Sequence, residues 1–359
     1  MSPYLVAPEQ LGGLLEDEPA YRSDQLRDWL YRTPVLSADR MTNLPGSVRD
    51  RLDTTLWPFD LEVDQTADRG RTRKWLFRSP DGATIETVLM GYPRRTTLCI
   101  SSQVGCAMGC TFCATGQFGF DRHLEAGEIV AQVAFANAFL RAEPIPSSPD
   151  RVTNVVFMGM GEPLANYRHV RESLRRLIDV MDMSARSVTV STVGVVPGIL
   201  QLADEPWAVN LAVSLHAADD ELRSRLVPLN SRYPLDDVIA ASNRFFSAKR
   251  RRVSIEWTLM DGINDSVQQA VKLASIAHRM SAHVNVIALN PTPLSAERPS
   301  AEPAIDGFIA TLERQDVNVT RRDTRGRDID AACGQLRLRA STAPNRSSSE
   351  DQRDASRDG

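Results

Sequence analysis

The sequence predicts an α/β protein whose parallel sheet is either open or curled into a partial barrel. Three observations predict it. Short β-branched or apolar runs alternate with helical patterns from about residue 97 onward. Six such runs occur, fewer than the eight strands of a closed barrel. Polar and glycine-containing groups recur just past the ends of the runs, where parallel sheets place their ligand sites.

The elements follow in order. Residues 1–65 read as a small helical domain, in which Ser23 is placed to cap a helix over 25–32 with Leu26, Trp29 and Leu30 on one face. Residues 72–79 and 83–90 alternate apolar and polar around Pro80-Asp81-Gly82, so 66–95 reads as a β-hairpin linker. The core is expected over 96–338. Its strands are expected at 98–101, 155–158, 187–191, 210–214, 253–258 and 284–289. Helical faces between them carry Ile129, Val133, Ala136 and Leu140; Val170, Leu174, Leu177 and Met181; and Val267, Ala270, Leu273 and Ala277. Residues 339–359 are polar and aperiodic and are expected to form a disordered tail.

With 359 residues, 42% of them hydrophobic, the chain has enough for one large domain and a small one. No apolar run reaches the 18 residues of a membrane span. The start, Met-Ser-Pro-Tyr-Leu-Val-Ala-Pro-Glu, lacks the basic and apolar regions of a signal peptide. Five cysteines, three of them in one loop, do not resemble a disulfide framework, so a cytoplasmic setting with reduced thiols is expected. Lys and Arg number 42 against 46 acidic residues, which excludes a non-specific nucleic-acid coat but not a local basic surface. Two basic runs stand out, Arg69, Arg71, Arg73 and Lys74, then Lys249 to Arg252. Taken alone, each is a solvated face.

Cys106, Cys110 and Cys113 form a C-x3-C-x2-C loop. Three thiolates can hold three corners of a [4Fe–4S] cube and leave the fourth iron open to a substrate. A structural zinc needs four ligands. No second C-x2-C or H-x3-H accompanies the loop, and His123 is the nearest histidine. Past the second expected strand, Gly159-Met160-Gly161-Glu162-Pro163 lets the backbone approach a ligand, and Glu162 is suited to an ammonium group. Ser191-Thr192-Val193-Gly194, Ser214-Leu215-His216 and Asn290-Pro291 bring hydroxyl, imidazole and amide groups to further strand ends. Singly, each is an ordinary turn; their shared placement raises them. Cys99 and Cys333 remain. Cysteine is often a small buried hydrophobe. Cys333 lies in a loop beside Gly334, a setting in which a thiol can be exposed and reactive.

The cysteine loop, with Phe112 before its last cysteine, resembles the radical S-adenosylmethionine superfamily, whose fold is a partial (β/α)6 barrel. Met-Gly-Met-Gly-Glu-Pro-Leu-Ala-Asn at 158–166, Ser-Leu-His-Ala at 214–217 and Asp-Ile-Asp-Ala-Ala-Cys-Gly-Gln-Leu at 328–336 resemble the RlmN family more closely. The resemblance runs from about residue 20 to 338. It implies a dual-specificity methyltransferase acting on carbon 2 of adenosine 2503 in 23S rRNA and of adenosine 37 in tRNAs. It implies one [4Fe–4S] cluster on Cys106, Cys110 and Cys113, and two S-adenosylmethionine molecules per turnover. The S-adenosylmethionine site would be lined by Gly161, Glu162, Ser191, Ser214, Leu215, His216 and Asn290. Cys333 would accept a methyl group as S-methylcysteine. A radical made from the second S-adenosylmethionine would take hydrogen from that methyl, and the resulting thiomethylene radical would add to the adenine. Cys99 would then release the product through a transient disulfide with Cys333. Glu86 matches the family's proton acceptor. Carbon 2 of adenine is electron-poor and has no lone pair to attack a sulfonium, which is why a radical route is needed; release by thiol–disulfide exchange needs a second thiol, and the chain has two outside the cysteine loop.

The resemblance further implies rRNA and tRNA substrates, an electron donor such as a flavodoxin or ferredoxin, no membrane and a monomeric enzyme. The small N-terminal domain and the basic runs are the expected RNA contacts. Two alternatives stand beside it. One is the related Cfr-type carbon-8 methyltransferase, against which Pro163, Ala217 and the Thr-Arg-Gly before residue 328 weigh. The other is a non-catalytic iron–sulfur protein that binds RNA.

Overall fold

The computed structural model describes residues 1–292, 295–322, 325–331 and 334–336; the expected tail lies outside them. The backbone is a ten-stranded sheet with β1 (Asp60–Ala67), β2 (Thr72–Arg78), β3 (Thr84–Tyr92) and β4 (Arg95–Cys99) at one end. β5 (Gln103–Gly105) and β6 (Phe120–His123) form a separate antiparallel pair around the cysteine loop. The large sheet continues through β7 (Asn154–Phe157), β8 (Val188–Thr192), β9 (Asn210–Ser214), β10 (Ser254–Leu259), β11 (His283–Ala288) and β12 (Val319–Arg321), in that spatial order after β4. The first three pairings are antiparallel, and all those from β4 onward are parallel.

Each parallel step is made through a helix: Ala126–Ala142, Tyr167–Arg175, Val196–Asp204, Leu235–Lys249, Val267–Met280 and Glu302–Arg314. Val155, Val190, Leu211, Val213, Ile255, Trp257, Val284 and Val286 are fully buried and mark the face of the strands packed against the helices, while Ser191, Ser214, Glu256 and Asn285 at alternate positions line the cavities on the other face. β4 and β12 do not pair, yet residues of both line one cavity. The sheet therefore curls until its parallel ends face each other across an open seam. This is the partial barrel expected from the sequence.

Three local readings need correction. Ser23 lies inside its helix, not at the cap: Tyr21–Arg27 starts earlier, because Arg22 N–H already bonds the Pro19 carbonyl at 2.9 Å. Asp28–Arg32 continues it as a π-turn. β1 occupies 60–67, all but its last two residues inside the stretch read as helical, and pairs with β2, so the hairpin is part of the main sheet. β12 adds a seventh parallel strand, too short and polar to show as an apolar run.

The N-terminal segment is fixed to the barrel by aromatic packing. Trp57 stacks on Tyr4 (5.2 Å between ring centres) and meets Phe135 edge-on, while Phe59 stacks on Phe77 at 4.1 Å. Arg176 adds bonds to the carbonyls of Tyr4 and Val6 at 2.8 and 3.3 Å.

Candidate active site

The cysteine loop starts from β5 and ends at the short helix Ala114–Gln117. Gly105 sits at φ +74°, where any Cβ would lie 2.1 Å from the Gly119 carbonyl oxygen; only glycine lets the loop cross itself here. Cys106, Cys110 and Cys113 all line one cavity at the carboxyl ends of the parallel strands. Gly161, Glu162, Ser191, Ser214, His216 and Asn290 line the same cavity. Leu215 does not: its side chain is in the core, and its backbone bonds the Glu256 carbonyl at 3.1 Å.

Glu162 is buried, and its carboxylate accepts from the backbone N–H groups of Leu164 (3.0 Å) and Val193 (2.9 Å). Burial outweighs those bonds and pushes its carboxyl up to about 7. Gly161, at φ +98°, packs so closely on Gln103 that a Cβ would come within 2.5 Å of that side chain. Gln103 in turn accepts the Glu162 N–H at 2.7 Å. His216, at φ +60°, accepts the Thr258 N–H on Nδ1 at 3.0 Å, which leaves its proton on Nε2. Burial, and after it the charge of Arg223, presses the imidazole down to about 3, so it is neutral. Phe112 meets the ring edge-on at 4.6 Å.

Glu256 also lines this cavity and was not foreseen. Its Oε1 accepts from Asn285 at 2.8 Å, while its buried Oε2 makes no hydrogen bond among the described residues and faces Arg322 at 3.7 Å. A carboxylate inside the apolar strand Ser-Ile-Glu-Trp-Thr-Leu was the available signal.

A second cavity adjoins the first along Met158, Ile287, Asn290, Arg322 and Leu336 and reaches Cys99. Cys333 lies outside the described residues. Its described neighbours straddle the two cavities: Ala331 lines the second and Gly334 the first. Gly334 also accepts the Ala114 N–H at 2.8 Å, directly beside Cys113.

Glu86, on β3, is buried and lies behind the end of β4. Its carbonyl accepts from Ser101 Oγ at 2.6 Å, and the same hydroxyl oxygen accepts the Met160 N–H at 2.9 Å. One serine thus ties the Glu86 backbone to the glycine-rich turn before Glu162. Lys74, read as part of a basic run, is buried against the Glu86 carboxylate. Arg73 is held by Asp64 and Glu143, Lys249 by the Glu205 carbonyl, and Arg251 by Asn210. Much of both basic runs is therefore committed within the protein.

The Radical SAM superfamily profile matches residues 100–274. A protein of Parafrankia sp. named "Probable dual-specificity RNA methyltransferase RlmN" is 48% identical over 353 residues, covering 92% of this chain and 91% of its own. Its namesake in Mycobacterium marinum is 48% identical over 327 residues, covering 89% of each chain. The crystal structure of a radical SAM methyltransferase from Sphaerobacter thermophilus superposes with a TM-score of 0.88 at 46% identity, over 94% of this chain and 99% of that one. The chain belongs to the RlmN family.

Membership in this radical SAM family implies an iron–sulfur cluster and S-adenosylmethionine, and the residues fit both. Three thiols from one loop face one cavity. Burial raises all three, Cys106 to about 12, so metal loading must displace protons. Among the described residues no three side chains converge on a single-ion site. A cube places no such demand, because each cysteine takes a different iron. For S-adenosylmethionine, Glu162 offers a buried carboxylate with no cation partner among the described residues, and Glu256 offers an unbonded oxygen. No described helix of this RlmN-family chain is long and apolar enough to cross a membrane.

Proposed function

We propose that this chain methylates carbon 2 of adenosine in RNA, at adenosine 2503 of 23S rRNA and adenosine 37 of tRNAs. The observation that carries this reading is the junction of the two cavities. The cysteine loop, Glu162 and His216 line one, Cys99 lines the other, and the residues flanking Cys333 line both.

Cys106, Cys110 and Cys113 would hold the [4Fe–4S] cluster. When bound, the cluster supplies the electron that cleaves S-adenosylmethionine to a 5′-deoxyadenosyl radical. Glu162 would receive the ammonium of the methionyl group. Gly161, Ser191, Ser214, the Leu215 backbone, neutral His216 and Asn290 would orient the rest. Cys333 would carry the methyl group as a thioether. Glu86 would take the proton that leaves carbon 2. The Cys99 thiolate would then attack the Cys333 sulfur, forming a disulfide and breaking the sulfur–carbon bond; the freed carbon keeps the bonding pair and takes up a proton to complete the methyl group, and an external thiol must reduce the disulfide before the next turnover. A flavodoxin or ferredoxin would serve as electron donor.

An anaerobic incubation of the reconstituted protein with methyl-labelled S-adenosylmethionine and 23S rRNA, followed by nucleoside mass spectrometry, tests this. The expected products are 2-methyladenosine and 5′-deoxyadenosine. Formation of 8-methyladenosine, or deoxyadenosine with no methylated base, overturns the assignment.

A further inference from the structure

The seam between β4 and β12 holds the second cavity, of about 480 Å³, within the range that takes a nucleotide-sized ligand. Its charged lining among the described residues is Arg95, Arg321, Arg322 and Arg325, with no carboxylate. The four come from both sides of the seam. Arg321 is held by Glu302 at 2.6 Å, and Arg322 faces Glu256. Arg95 and Arg325 differ. Both guanidinium groups lie 4.5 Å from the centre of one ring, Tyr92, and neither pairs with a carboxylate among the described residues. Two cations drawn to one ring repel each other, and an anion shared between them relieves that repulsion. Arg95 and Cys99 lie at opposite ends of β4, and the lining combines the apolar Met90, Val156, Met158 and Ile287 with the hydroxyls of Thr97 and Thr189 and the amides of Asn154 and Asn285. Positive charge at one end of β4, apolar and amide groups in the same lining and a thiol at the other end match a nucleotide entering base first.

We propose that the seam cavity receives the extruded nucleotide of the RNA substrate, with Arg95 and Arg325 binding its flanking phosphates and Tyr92 holding the two guanidinium groups in place. This rests on the RNA methyltransferase function proposed above. It gives RNA a contact that no basic run in the sequence marks. Extrusion of the base is what chemistry on a stacked adenine requires.

The test uses the full chain and a 5′-labelled RNA hairpin with adenosine in its loop, followed by fluorescence anisotropy across a salt titration. Arg95→Ala/Arg325→Ala is expected to weaken binding at least tenfold and to flatten the salt slope by about 1 for each arginine. Arg244→Ala/Arg279→Ala removes the same charge from the outer helices and is expected to change neither. Thermal melting checks the fold; should the double variant melt early, Arg95→Gln alone, on an exposed side chain, carries the test. The same hairpin is then incubated with reconstituted wild type and digested for nucleoside mass spectrometry. Unchanged affinity and slope in the variant, with 2-methyladenosine formed by wild type, overturn the seam site and leave the methyltransferase standing. Wild type that neither binds nor methylates the hairpin removes both.

Discussion

Lys74 Nζ lies 3.1 Å from Glu86 Oε1, and both side chains are about 5% exposed. The two sit on neighbouring strands two residues out of direct register, so they share a face of the hairpin. Lys74 also donates to the Asp330 carbonyl at 3.3 Å. One ammonium thus links the expected proton acceptor to the segment that leads to Cys333. Removing one partner of a buried pair leaves a charge with no counterion and costs about 3–5 kcal/mol. Lys74→Met should therefore unfold at lower urea and lose 2-methyladenosine formation. Lys74→Met/Glu86→Leu should regain most of the stability and none of the activity. Recovery of activity in the double variant would exclude Glu86 as the proton acceptor.

Cys99 is expected to act after the new carbon bond has formed. If its thiol frees the product, Cys99→Ala should still attach the adenine carbon to Cys333 and then stall. A protein–RNA adduct that survives a denaturing gel is the expected result, and Cys99→Ala/Cys333→Ala should abolish it. Free methylated RNA released by Cys99→Ala would assign resolution to another group.

The parts of the site that could be read from sequence are those made by local chain. The cysteine loop needs no tertiary information, and Glu162, Ser191, Ser214, His216 and Asn290 betray themselves by following apolar runs. Six strands were found within one or a few residues because each carries a row of buried apolar residues at alternate positions, such as Leu211 and Val213 or Ile255 and Trp257. β12 was not, since Val-Thr-Arg carries no such pattern. Lys74 was misplaced in a basic run because its orientation depends on which face of the hairpin packs inward. Arg95 and Arg325 lie far apart in the chain, and only the curl of the sheet brings them onto one ring.

Acid should loosen the N-terminal segment. Burial raises the Glu172 carboxyl, but hydrogen bonds from Arg175 and Arg176 outweigh it and hold the group at about 2, against 4.5 ordinarily. Those arginines also bind Glu9 and the carbonyls of Tyr4 and Val6. The folded value is below the unfolded one, so the stabilisation is complete above about pH 4.5 and lost as pH falls through about 2. Urea midpoints of wild type and Glu172→Gln should differ modestly at pH 6, since the carboxyl is partly exposed, and converge toward pH 2. A gap that widens in acid would contradict the sign.

Arg223 is fully buried and ties the ends of two strands beside the first cavity to Asn230. It donates to the carbonyls of Val193 (2.5 Å) and Leu215 (3.2 Å) and to Asn230 Oδ1 (2.7 Å). Burial lowers its affinity for a proton, to about 10, yet it stays charged at neutral pH. The two carbonyls follow β8 and β9, so this side chain sets the spacing of the strand ends that carry Ser191 and Ser214. Arg223→Met leaves those oxygens buried without donors, at about 1–3 kcal/mol each. We expect a loss of several degrees in melting temperature and at least tenfold weaker S-adenosylmethionine binding by calorimetry. Arg223→Lys should not restore binding, because one ammonium cannot reproduce the planar fork that reaches three acceptors. Full binding by the lysine variant would show that charge alone, and not the geometry of the fork, positions the strand ends.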